Sequence, residues 1–281
     1  MPRVTGSIAA ALTRTGGATQ LQSHSQSYPL KIAKTFPFPG QSLGVYVMDA
    51  SPGIMAGDRY DLQWRFREGT RAYITNQSYT KVHPSRRGED QPWHPSAQRQ
   101  SLVLGPDSYV EYMPEPLMLY ADAVLDAVTS IEMKSGSSLF LSDIVCPGRS
   151  HRGETFHYER YANRLTVSYE DELIFSGRQK VEPGRSDPRS VSRWDTYTHA
   201  GSLYLFSDRI RTEHAQALRT RMEERYAAFP QLYFGSSMTY KHGLAVQVLG
   251  LRVYEIQELL EDVWGFLRSE IFGLEPLRVP K

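Results

Sequence analysis

Apolar residues fall at every second position through much of this chain. Leu43, Val45 and Val47 alternate with Gly44, Tyr46 and Met48, and Leu62, Trp64 and Phe66 alternate with Gln63 and Arg65. Successive side chains of a strand point to opposite faces, so this period marks strands buried more heavily on one face. The signature returns at Ala72 and Ile74, Leu102 and Leu104, Val110 and Tyr112, and Leu139 and Leu141. It continues at Leu165, Val167 and Tyr169, at Leu203 and Leu205, and at Val246 and Val248. Gly, Pro, Asp and Ser turns separate these runs, which predicts a mainly β, layered fold. Gly69, Gly105 and Gly136 each stand a few residues before a strand, 36 and then 31 residues apart. That recurrence predicts β-helix-like sheets of strand–turn–strand repeats, without the fixed period of a strict solenoid.

Two stretches switch to the helical period. Thr212–Phe229 lines up Ala215, Leu218, Met222, Tyr226 and Phe229, and Tyr254–Ser269 lines up Ile256, Leu259, Leu260, Val263 and Leu267. Glu255, Glu258, Glu261 and Asp262 lie mainly in the N-terminal half of the second, where helix amides favour negative charge. The organisation that follows has three parts. Residues 1–28 are a variable N-terminal arm or first strands, 29–210 a layered β body, and 211–281 two helices and a closing strand packed on that body. The polar, Pro-containing stretches His83–Gln98 and Gln179–Arg193 are expected to be the least ordered.

Composition narrows the partners. The 281 residues carry 32 basic and 31 acidic side chains, a formal charge of +1, and 40% of them are hydrophobic. A field so balanced offers no bulk attraction to nucleic acid or anionic lipid, and the apolar share suits a folded core. The single cysteine, Cys146, excludes an internal disulfide framework and a thiolate metal cluster within the chain. The first residues lack an apolar signal core, and no run of about eighteen apolar residues is present to span a membrane. A cytoplasmic location is expected.

Candidate chemistry is sparse. The eight histidines include no H-E-x-x-H pair, and the chain has no nucleophile elbow, phosphate loop or dinucleotide signature. No catalytic residue and no tightly bound cofactor are assigned. Ser51–Asp58 is a tight Gly/Pro crossing whose Asp58 either caps a backbone amide or stands on a partner surface or metal route. Gln77, Thr80 and Lys81 form either a paired buried ladder or a solvated strand face, because buried polar groups are costly unless bonded. Pro114 and Pro116 remove two backbone donors and fix the path into Leu117–Tyr120, an apolar stretch that is core or docking patch. Asp143, Arg149, His151, Arg152, Glu154 and His157 are close in sequence. They read either as metal-handling oxygen and imidazole donors or, more plainly, as an Arg–Glu pair holding a loop. Cys146 is a soft ligand or a small buried hydrophobe.

Six segments occur in order from about Leu30 to the C-terminus. Pro52–Arg59 is Gly-rich and ends in Gly-Asp-Arg. Thr75–Val82 reads Thr-Asn-Gln-Ser-Tyr-Thr-Lys-Val. Met113–Tyr120 is a Pro-x-Pro segment followed by apolar residues. Gly148–Phe156 reads Gly-Arg-Ser-His-Arg-Gly-Glu-Thr-Phe. Gly250-Leu-Arg and Val263–Arg268 supply a closing strand and a Trp…Leu-Arg helix. Together they resemble the urease accessory protein UreD (UreH) family. Asn76 is inserted in the family's usual Thr-Gln pair, and Ile54-Met55 replaces a stretch richer in Gly.

The resemblance implies a scaffold with no turnover of its own, built of layered β sheets with helices toward the C-terminus. It implies binding to a UreF-like helical accessory protein, through it to a UreG-like GTPase that carries nickel, and to apo-urease. A homodimer within that complex is compatible with it. Ni(2+), handled transiently, would be delivered to the urease active site, with an internal passage as one way through. Weak oxygen and imidazole donors suit transfer. Asp58, Asp143, His151, Glu154 and His157 are therefore the candidate metal route, with no tight site. Candidate structural or partner contacts are Gln77, Thr80, Lys81, Pro114, Pro116, Leu117, Tyr120, Arg149, Arg152, Trp264, Leu267 and Arg268. Trp264 is either an interface anchor or a core residue joining helix to sheet. Two other readings stay open: a metal-dependent hydrolase using the same Asp/His/Glu set, and a β-rich binding module unrelated to nickel.

Overall fold

The alternating runs become strands of two stacked sheets. The computed structural model describes residues 5–85, 90, 93–277 and 279. The seven-stranded sheet A contains β1 (Gly6–Thr15), β2 (Ala18–Ser27), β5 (Arg59–Phe66), β8 (Ser96–Leu104), β11 (Val124–Met133), β13 (Arg160–Tyr169) and β14 (Glu172–Val181). Their order is β14-β13-β11-β8-β5-β1-β2. The ten-stranded sheet B begins with β3 (Leu30–Phe38), β4 (Ser42–Asp49), β6 (Arg71–Asn76), β7 (Thr80–Val82), β9 (Tyr109–Tyr112) and β10 (Leu117–Leu119). It is completed by β12 (Ser138–Cys146), β15 (His199–Ser207), β16 (Leu232–Met238) and β17 (Gly243–Gly250). Its main path is β16-β17-β15-β12-β9-β6-β4-β3, with β10 between β7 and β12.

Between β4 and β13 the chain winds from sheet B to sheet A and back, so neighbours within each sheet run parallel. This is the β-helix-like arrangement expected from the glycine recurrence. Gly69, Gly105 and Gly136 all sit where sheet A returns to sheet B, and Gly69 and Gly136 have φ of 64 and 71, a backbone that favours glycine. Antiparallel pairs flank the coiled centre: β1 with β2, β3 with β4, β13 with β14, and β15 with β12 and β17. The N-terminal stretch is part of sheet A, because β1 pairs in parallel with β5.

One apolar core lies between the sheets. A second joins sheet B to helix α1 (Thr212–Tyr226) and helix α2 (Val253–Phe272). α2 buries Ile256, Leu259, Leu260, Val263, Trp264 and Leu267. Its approach depends on Gly201, where an added Cβ would lie 2.4 Å from Ile256. Arg221 and Arg225 of α1 both reach Asp262 of α2, at 2.6 and 2.7 Å, and lock the helices together.

Three local expectations change. Phe229 lies beyond α1 and is exposed, because Pro230 disfavours helical backbone at the residue before it. Gln179–Val181 belong to β14, and the following loop is pinned by Trp194, whose ring packs 5.3 Å from Phe156. In the stretch His83–Gln98, Ser96–Gln98 open β8, while residues 86–89, 91 and 92 lie outside the described residues.

Candidate functional site: a polar cavity between the sheets

The space between the sheets is solid toward one end of the strands and hollow toward the other, and the register of sheet A gives the reason. Trp64, Leu102, Ile131, Val167 and Phe175 form one row across five strands. The next row toward the starts of the parallel strands is Leu62, Gln100, Thr129, Leu165 and Gly177. The one after is Tyr60, Gln98, Ala127, Asn163 and Gln179. Small and polar side chains replace bulky apolar ones, and a cavity of about 510 Å³ follows. It reaches from Asp49 and Ser51 beside β4 to Ser202, Tyr204 and Gln247 on β15 and β17.

The polar lining is bonded in an ordered way. Asn163 Nδ2 donates to Asp143 Oδ2 at 2.9 Å. Burial in the cavity pushes the Asp143 carboxyl up to about 6, and the Asn163 hydrogen bond opposes that shift. At the β4 end, Asp49 accepts the Ser51 N–H at 2.9 Å and the Tyr60 hydroxyl at 2.9 Å. Burial raises the Tyr60 hydroxyl well above its ordinary value, so it stays a donor. The Tyr112 hydroxyl donates to Gln100 Oε1 at 2.7 Å. The cationic side chains on the lining, Lys81 and Arg178, are exposed at its margins.

Sheet B is interrupted beside this cavity. The β9–β12 ladder stops at Tyr112 opposite Leu141, and β10 resumes at Leu117 opposite Val145. Ser142–Ile144 have no sheet neighbour on that side. The same break separates β6 from β7 at residues 77–79. Pro114 and Pro116 lack the N–H that a continuous strand would use. A second cavity, about 480 Å³, lies under α2 and shares Pro114, Glu115 and Ser142 with the first.

The structure distributes the sequence-derived candidates as follows. Asp143 lines the cavity, as do Thr80, Lys81, Pro114 and Leu117. Gln77 and Lys81 are exposed, and Thr80 accepts from Asn76 Nδ2 at 3.0 Å, so these residues do not form a buried ladder. Asp58 accepts the Met55 N–H at 2.8 Å and caps its own turn. Glu154 is held by Arg149 through two hydrogen bonds, one of 2.8 Å, which lowers its carboxyl, and Arg149 also stacks 4.5 Å over the Tyr120 ring. His151, Arg152 and His157 are exposed. Cys146 is buried, with its thiol pushed up to about 12 by desolvation, and so stays neutral. Among the described residues, no group of three or more His, Cys, Asp or Glu side chains stands together to hold a metal ion.

Trp264 and Leu267 are core residues of α2, and Pro116 is buried. Arg268 is buried as well, 3.4 Å from Glu111 on β9. Glu111 also accepts Tyr109 at 2.7 Å and Trp264 Nε1 at 3.0 Å. Burial pushes the Glu111 carboxyl up, opposed chiefly by Arg268. This network fixes α2 over the interrupted sheet.

The sequence reading missed Asp49, Gln98, Gln100, Glu111 and Asn163. A signal was there for three of them. Gln98 and Gln100 share parity with Leu102 and Leu104, and Asn163 shares parity with Leu165 and Val167. Polar residues on the inward face of adjacent strands mark a wet interior.

The UreD urease accessory protein family model matches residues 4–281. A urease accessory protein UreD from Acetivibrio thermocellus is 30% identical over 252 residues, covering 89% of this chain and 92% of that protein. One from Natronomonas pharaonis is 28% identical over 278 residues, covering 97% of this chain and 90% of its own length. Another, from Actinobacillus pleuropneumoniae serotype 5b, is 28% identical over 258 residues, covering 90% and 93%. With two layered sheets, a pair of helices and a match over nearly its whole length, the chain belongs to the UreD urease accessory protein family.

Proposed function

We propose that this chain is a cytoplasmic scaffold that binds apo-urease and a UreF-like helical accessory protein. Through the latter it meets a UreG-like GTPase, and it assists delivery and insertion of Ni(2+) into the urease active site. Family membership supports the accessory role. The observation that carries the passage is the polar cavity between the sheets, with Asp143 on its wall. An ionised carboxylate in a partly desolvated cavity lacks full hydration and gains from a nearby cation. One carboxylate with amide and hydroxyl neighbours holds Ni(2+) loosely, which suits a cargo that must leave. Asp58, His151, Glu154 and His157 lie on the crossings that lead from sheet B to sheet A, and in this reading they serve the approach rather than the interior.

The test is complementation under limiting nickel. Cells lacking the chain receive either the wild type or Asp143→Ala, and urease nickel content is measured. The proposal expects Asp143→Ala to lower nickel content while the variant still folds and co-purifies with its partners. Full nickel loading with Asp143→Ala would remove Asp143 from the route. Full loading in cells without the chain would remove the function.

A further inference from the structure

We propose that the break in sheet B is a gated mouth of the inter-sheet cavity, with the Tyr79 side chain as its gate and α2 as the frame it closes against. The inference rests on the passage reading above and adds where a hydrated divalent cation enters or leaves.

Two neighbouring strand lines break at one level beside an unbroken β12. Five residues separate Ile74 from Thr80, four separate Tyr112 from Leu117, and three separate Leu141 from Val145. The middle segment cannot close the ladder, since two of its four residues are prolines. The result is an opening rimmed by Glu115 and Ser142, which face the cavity on one side of the sheet and the space under α2 on the other. Asp143 stands next to it on the inner wall. Polar groups in such a place are tolerated when they are hydrated or bonded, so the rim suits water and small cations rather than an apolar ligand.

The cover is slight compared with the frame. α2 is held by a continuous apolar face and by the Glu111, Trp264 and Arg268 contacts. Tyr79, by contrast, crosses the opening and makes a neutral hydrogen bond of 3.3 Å to Gln257 Oε1 of α2. It is carried on residues 77–79, which belong to no strand. A long neutral hydrogen bond contributes little net stability. The side chain can therefore swing away without moving the helix, and a partner that touches α2 near Gln257 can bias it.

The test uses the purified full chain with Cys146→Ala, so that Thr129→Cys on the cavity wall is the only thiol. The probe is 2-aminoethyl methanethiosulfonate, a small cation, and the readout is the rate of labelling. Tyr79→Ala and Gln257→Leu, which both remove the hydrogen bond, are expected to raise the rate by about threefold, the order expected for one weak neutral bond. Gln257→Trp, which adds bulk over the opening, is expected to lower it. Melting temperatures confirm that each variant is folded. Equal labelling rates in parent, Tyr79→Ala and Gln257→Leu would overturn the gate. Urease nickel content, measured in cells with the same variants, separates the two levels. Gated labelling with unchanged nickel loading supports the mouth and contradicts the nickel route. Ungated labelling with loading that still needs Asp143 overturns the mouth and places the exit at the Asp49 end.

Discussion

The two halves of the inter-sheet space are built on the same five strands of sheet A and differ in what fills successive rows. In one row Trp64, Leu102, Ile131, Val167 and Phe175 pack against the opposite sheet. Two rows away Gln98, Ala127, Asn163 and Gln179 leave an interior of about 510 Å³. Close packing supplies stability through apolar area removed from water. The hollow half gives up part of that and gains a polar interior with an ionisable wall. The comparison teaches that this fold keeps its stability and its candidate function in separate layers. Substitutions should sort accordingly.

The largest effect is expected in the solid half. Trp64→Ala empties a fully buried site and should cost about 3–5 kcal/mol in chemical denaturation. A similar loss from a hollow-half change such as Thr129→Ala would blur the distinction. Next comes the anchor of α2. Glu111→Gln leaves Arg268 buried without its charge partner and should cost about 3 kcal/mol, with α2 losing hydrogen-exchange protection before the strands.

Asp143 gives a smaller effect with a defined sign. Its folded value of about 6 lies above the ordinary carboxylate value of 3.8, so the folded state holds its proton more tightly than the unfolded state. Its contribution is fully present below pH 4, falls as pH rises from about 4 to about 6, and stays flat above that. Asp143→Asn should remove this slope and stabilise the chain above pH 6 by roughly 1–2 kcal/mol, since a tenfold change in proton affinity is worth about 1.4 kcal/mol and cavity water screens part of the effect. A denaturation midpoint with unchanged pH dependence in Asp143→Asn would assign the slope to other groups. The smallest effect is expected at the surface. Glu154→Gln breaks a partly exposed pair with Arg149 and should change stability by less than about 1 kcal/mol.

Much of the solid half was legible in the sequence, because period-two alternation places Trp64 and Phe66 or Leu102 and Leu104 on one face without any knowledge of pairing. The helices were legible from their own period, apart from the end of α1 at Tyr226, short of Phe229 and Pro230. The hollow half was partly legible, through Gln98, Gln100 and Asn163 on inward positions. What could not be read is what depends on register. The gap in sheet B arises from how Tyr112 and Leu117 pair with Leu141 and Val145. The Glu111–Arg268 contact joins β9 to a helix 157 residues later in the chain. Asp58 and Glu154 look alike in sequence as candidate ligands, and only folding assigns one to a turn cap and the other to Arg149.

The most direct test fills the cavity without touching its charge. Ala127→Leu with Thr129→Leu places apolar bulk in the two polar rows while keeping Asp143. With the melting temperature retained and the accessory complex still formed, urease matured under limiting nickel should contain as little nickel as urease matured without this chain. Urease carrying its full nickel complement beside the filled variant would contradict the account.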